Sequence, residues 1–355
     1  MRGLATACAV LGVGAALALG LSACGGAAPT PLTIGGWGGQ LDAATRAAYL
    51  GPFDAAAHVA ARFVDAPGEQ LARIRAQNDA HRITWDAVDS LDGGAAYRLY
   101  HEGLLLTLPA ALHARLVREL GAAAVTPFGF AHGGVAEVLV CNTARVRRCP
   151  TTMKEFYDGP AYPQSRTFSA IDPIEGSATA EVDKGWRLPE TDINPIDPPS
   201  LFEILDNLRP YIRVLWHTGA QQLQAMRSGA ADMGIVWSNL AYQLRAEGMP
   251  LQIQWLGGAA EPRYWAVVRG APHAAAALRL LGWIAGHPAA QARWAGLTHA
   301  AVPSTAARAQ LPAALTAQFP EAHAAQLAPP NLEWYALYGG VLDDEYRPFV
   351  AGSSS

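Results

Sequence analysis

What most constrains this chain is the alternation of short apolar, strand-like runs with helical ones. Residues 31–34 read as a strand, 35–40 as a glycine-rich turn, and 41–57 as a helix with apolar residues at helical spacing. Residues 61–64, 69–78 and 85–89 repeat the pattern as strand, helix and strand. Repeated units of this kind predict an α/β sheet. In open sheets, ligands sit beyond the carboxyl ends of the strands, which places Trp37 and the turn at 89–94 near a candidate site.

Between residues 127 and 141 the pattern changes to one long extended segment, and helical signals return at Met153. A second set of units follows. Residues 168–171 form a short strand, Asp172-Pro173-x-Glu175 opens a helix, and a loop rich in Pro, Asp and Asn covers 188–199. Then come a helix (201–208), a strand (213–216), a helix (220–228) and a strand (233–237), with 255–268 extended again. Two α/β blocks separated by long extended passages predict two domains, with those passages as crossovers.

The first residues bear on location. Arg2 precedes an apolar stretch, 4–21, that ends in Leu21-Ser22-Ala23-Cys24, so residues 1–23 read as a signal peptide. The Leu-Ser-Ala-Cys run resembles the bacterial lipobox, in which the cysteine becomes the lipidated first residue; the alternative is ordinary cleavage after Ala23. Lipid chains on Cys24 would hold the protein at a membrane surface without spanning it, with 24–31 as a flexible tether. About 330 residues then remain, enough for two domains.

The formal net charge of −4 becomes −5 when Arg2 is removed with the leader, and basic residues form no sustained stripe, so no nucleic-acid partner is expected. With Cys8 in the leader and Cys24 assigned to lipid, Cys141 and Cys149 are left. Eight positions apart in an exported chain, they read as one local disulfide, with two free buried thiols as the alternative. No His or Cys pair nearby has zinc-ligand spacing.

From Leu32 to about Tyr346 an ordered set of motifs resembles extracellular solute-binding proteins of the spermidine/putrescine type, the receptors of ABC importers. These include Gly35-Gly36-Trp37-Gly38-Gly39, Trp85-Asp86-Ala87-Val88-Asp89 and Val140-Cys141-Asn142-Thr143. Further on come Trp216-His217-Thr218-Gly219-Ala220-Gln221, Ser228-Gly229-Ala230-Ala231-Asp232-Met233, Ile235-Val236-Trp237 and Tyr264-Trp265. The resemblance implies a two-domain periplasmic-binding-protein fold, type II-like, closing on an interdomain cleft about crossover hinges. The expected crossovers are 134–138, 257–264 and 300–304. They divide the chain into one domain of 32–134 plus 262–302 and a second of 135–261 plus 303–350. The implied partners are a small polar solute, an ABC permease with its ATPase, and a membrane reached through the lipid anchor. A monomer without cofactor is expected.

The family also implies site residues. Trp37 and Trp237 would enclose the ligand, with packing as the alternative for each, and Trp265 carries the same two readings. Ser90 and Asp92 lie in the turn after the third strand, and Asn239 in the turn after Trp237. Gln221 faces the cleft or only starts a helix, and Tyr335 occupies a position that supplies a polar side chain. Asp172 and Glu175 match an acidic pair that meets a ligand ammonium, but Asp at the N-cap, Pro173 at the first helical position and Glu at the third also make a good cap. Gly93 and Gly94 stand where polyamine receptors often carry tyrosines, so a smaller amine or a zwitterion fits at least as well, and an amino-acid derivative or phosphonate stays open. No Tyr-Tyr pair supports a ferric site. The chain carries no Gly-x-Ser-x-Gly elbow, His-Glu-x-x-His helix or phosphate-binding Gly-Lys-Ser/Thr loop, so no enzyme is expected; a receptor-fold sensor or scaffold lipoprotein is the other reading.

Overall fold

The computed structural model describes residues 28–171, 198–328 and 332–352. The leader, Cys24, Asp172 and Glu175 lie outside the described residues. Strand β1 (Thr30–Gly36) pairs in parallel with β2 (Val59–Asp65) and β3 (Ala87–Asp92). The short β4 (Val125–Thr126) folds back onto β5 (Gly129–Asn142). Then β6 (Arg166–Ser169) lies in parallel between β7 (Ile212–Trp216) and β8 (Met233–Trp237). The long β9 (Leu251–Val267) carries β10 (Leu327–Ala328) beside it. The order is β2-β1-β3-β9-β5-β8-β6-β7.

The antiparallel pair β5 and β9 runs through both halves, hydrogen-bonded from Gly129 opposite Ala266 to Asn142 opposite Leu251. Its ends belong to different cores. Phe130 and Trp265 join Leu32, Ile34, Phe53 and Leu280 in the first lobe, while Val138, Val140 and Trp255 join Met226 and Val236 in the second. A further core covers the other sheet face of each lobe, around Trp85 and Phe128 in one and around Phe156, Phe168 and Tyr346 in the other. Because both faces are covered, β8 is buried at every residue and not at alternate ones, and its sequence reads as a continuous apolar run.

The crossovers expected at 134–138 and 257–264 fall within β5 and β9, and the third passes beside them, where the Ala301 N–H donates to the Gly134 carbonyl. Gly133 is required there, since a Cβ on it would lie 2.3 Å from the Ala301 carbonyl oxygen.

Three sequence expectations need correction. The helix expected at 41–57 is broken by a π-turn, Arg46–Leu50, because Pro52 has no N–H to close onto Ala48. The turn expected at 89–94 is instead the end of β3 running directly into the helix Gly93–His101, whose N-cap Asp92 accepts from the Ala95 N–H at 3.1 Å. Part of 303–350, assigned to the second domain, packs with the first core through Ala307 and Phe319. Ser304 caps a helix at once and folds the chain back; it reaches the second lobe's core with Leu327 and the helix Leu332–Ala351. Cys141 and Cys149 are joined by a disulfide with a Cα–Cα distance of 5.8 Å, pinning the loop after β5.

Candidate ligand-binding site

A cavity of about 750 Å³ lies between the lobes, at the carboxyl ends of β1, β3 and β8. Its size falls in the range of small-molecule sites, roughly 300–1,000 Å³. Trp37 reaches it from the turn after β1, where Gly38 has φ 96°, a conformation open to glycine and costly for other residues. Trp237 reaches it from the end of β8. The two rings meet edge to face across the lobes with centroids 5.8 Å apart, and Trp216 packs on Trp237 from below at 5.3 Å. Asn239 adds a second contact between the lobes, donating to the Thr298 carbonyl at 3.1 Å.

The cation between the tryptophans comes from the protein. Arg263 projects from β9, where it pairs with Asp92 of β3 and Gly133 of β5. Its guanidinium lies 4.8 Å from the Trp37 ring centre and 5.6 Å from that of Trp237. Nη2 donates to Glu261 at 2.7 Å, and Nη1 stands 3.6 Å from Asp92. These contacts hold a planar donor fork at the cavity wall, a geometry that matches carboxylates.

The first lobe supplies an acidic wall. Asp65 lines the cavity, and Asp42 sits behind it, 7 % exposed, accepting the Gly38 N–H at 2.9 Å. Burial above all, with the Asp89 and Asp65 charges added, pushes the Asp42 carboxyl up to about 7, against the lowering effect of that N–H. Beside them Ser90, at φ 55° in a bulge between Val88 and Leu91, donates to Asp89 Oδ1 at 3.1 Å. His132 Nε2 lies 3.1 Å from the same Asp89 oxygen and 3.2 Å from Ser90 Oγ, its ring packed edge-on to Trp294. Asp, Ser and His are therefore together, but both partners meet one ring nitrogen. A hydrolytic triad needs the carboxylate on the opposite nitrogen, so no proton relay runs through this ring.

Of the residues expected from the sequence, the cavity gathers Trp37, Ser90, Trp237 and Asn239. Asp92 stands one step back, holding Arg263 and capping its helix. Trp265 is fully buried in the first core. It shares the face of β9 that carries Arg263, but two residues along a strand move a side chain roughly 7 Å. Tyr335 is fully buried in the second lobe. Gln221 is exposed, its side chain accepting from His217 and its N–H donating to Thr218, a capping-box-like arrangement that starts the helix Gly219–Arg227. Sequence reasoning missed Arg263, Asp65 and His132. The signal for Arg263 was a pair of opposite charges, Glu261 and Arg263, two residues apart in the crossover segment 257–264.

Residues 48–325 match the family model described as bacterial extracellular solute-binding protein. The gamma-aminobutyric acid-binding protein of Pseudomonas aeruginosa is 28 % identical over 259 residues, 71 % of this chain and 71 % of that protein. A solved GABA receptor superposes with a TM-score of 0.81 at 22 % identity, covering 90 % of this chain and 98 % of its own. The binding protein AgtB of Agrobacterium tumefaciens R10, in complex with agropinic acid, gives a TM-score of 0.78 at 20 % identity, covering 91 % and 99 %. The fold is thus the two-domain periplasmic-binding-protein fold, and the chain belongs to the bacterial extracellular solute-binding protein family.

Proposed function

We propose that this protein is the capture component of an ABC importer for a small solute bearing both an amine and a carboxylate, an ω-amino acid or an amino-acid derivative, and that it performs no catalytic step. The observation that carries this reading is Arg263. Its guanidinium lies over the faces of both Trp37 and Trp237, the position that ring quadrupoles offer to a cation. A solute carrying only ammonium groups would bring a second cation to the same rings. A carboxylate finds a donor fork there instead. The names of the Pseudomonas aeruginosa relative and of the solved GABA receptor support the same class. The loaded, closed form would dock on a permease coupled to its ATPase, with Cys24 tethering the protein to a membrane of the cell envelope.

Calorimetry with γ-aminobutyrate and putrescine tests the reading. The expected result is saturable binding of γ-aminobutyrate and weaker or absent binding of putrescine; the reverse order would restore the polyamine assignment.

A further inference from the structure

We infer that the wall formed by Asp65 and Ser90, with Asp89 and His132 behind, receives the ammonium group of the ligand. This rests on the preceding reading that a zwitterion occupies the cavity. The argument is one of hydrogen-bonding capacity. Asp89 is fully buried and accepts the Ser90 hydroxyl proton on Oδ1, so towards the cavity Ser90 presents only lone pairs. A carboxylate oxygen only accepts, so the proton between Asp89 Oδ1 and His132 Nε2 belongs to Nε2. In the neutral ring Nδ1 then offers a lone pair as well. His132 is 1 % exposed, forms part of the cavity wall, and has no partner for Nδ1 among the described residues; Asp89 Oδ2 likewise has none. Every unused side-chain position of the trio is thus an acceptor.

Buried acceptors without donors are costly, and the Asp65 carboxylate lines the same cavity. What relieves all of these together is a cationic donor, and a primary ammonium brings three N–H groups. With Arg263 facing the cavity from β9, the site is dipolar: the acceptor wall takes the amine while the guanidinium takes the carboxylate. The placement differs from an amine seated on Asp172 and Glu175, and the difference is measurable.

The test compares γ-aminobutyrate with butyrate, which keeps the carboxylate and lacks the amine, by calorimetry on the full exported chain. Ser90→Gly removes the hydroxyl while tolerating the positive φ, and Asp65→Asn keeps the size of an exposed side chain while removing its charge. Each is expected to reduce the preference for γ-aminobutyrate over butyrate by about tenfold or more with butyrate affinity unchanged. The double variant Asp172→Asn, Glu175→Gln should leave that preference intact. Equal weakening of both ligands in Ser90→Gly and Asp65→Asn would show a merely structural role and overturn the inference. So would an intact preference in those variants with its loss in the Asp172/Glu175 variant; in either case the Arg263 reading stands. A wild type that binds neither compound overturns both.

Discussion

Replacing Arg263 by Met should convert the specificity of the cleft. Methionine retains much of the stem that packs along Trp37 and Trp237 while deleting the guanidinium, so the aromatic contact survives in part and the charge does not. Among the described residues of the wild type, Arg263 faces the carboxylates of Glu261 at 2.7 Å and Asp92 at 3.6 Å, inside a wall where Arg263 and Glu261 are nearly buried. Truncating the cationic partner of a buried charge pair formed with a ligand costs about 2–5 kcal/mol of binding, which lowers γ-aminobutyrate affinity by roughly one and a half to three and a half orders of magnitude. The stranded carboxylates and the vacated ring faces then make a site for a second ammonium, so putrescine affinity should rise in the same variant. Calorimetry with both ligands at fixed salt provides the readout. The variant should also unfold at lower temperature than wild type, because it leaves the Glu261 and Asp92 carboxylates without the guanidinium. A loss below tenfold for γ-aminobutyrate, or parallel losses for both ligands, would refute the assignment of Arg263 as the carboxylate anchor.

Asp42 keeps its proton in the folded chain up to about pH 7 but releases it near the ordinary carboxylate value when unfolded, so the ligand-free protein should lose stability as pH rises from about 4 to 7 and level off above. Asp42→Asn, which still accepts the Gly38 N–H, should flatten that slope in thermal melts from pH 4.5 to 8, and an unchanged slope would place the titration elsewhere. Replacing both Cys141 and Cys149 by Ser should lower unfolding free energy by about 2–3 kcal/mol in denaturant titrations, the expected contribution of a bridge closing so short a loop. For the anchor, Cys24→Ser should shift the protein from the detergent-extracted membrane fraction to the soluble one, and wild-type protein lacking lipid mass would discard the lipobox reading.

The alternation of strands and helices determined the α/β class and the two blocks, because burial of an apolar stripe or run is a local property written in residue spacing. It also brought Trp37 and Trp237 to the cleft, since both directly follow strands whose carboxyl ends must face the ligand side of an open sheet. The disulfide was legible by elimination among four cysteines. What sequence spacing could not supply was the register of β9. That register alone sets Arg263 opposite Asp92 and Gly133, far apart in the chain, and carries Trp265 past the cavity into the first core. Both faces of β9 are buried, so its sequence shows no alternation to say which side chains look into the cleft. The acidic wall has the same origin: Asp42, Asp65, Asp89 and His132 come from four separate elements and meet only because the helices and strands of the first lobe pack, and it is the burial of Asp42 above all that raises its carboxyl.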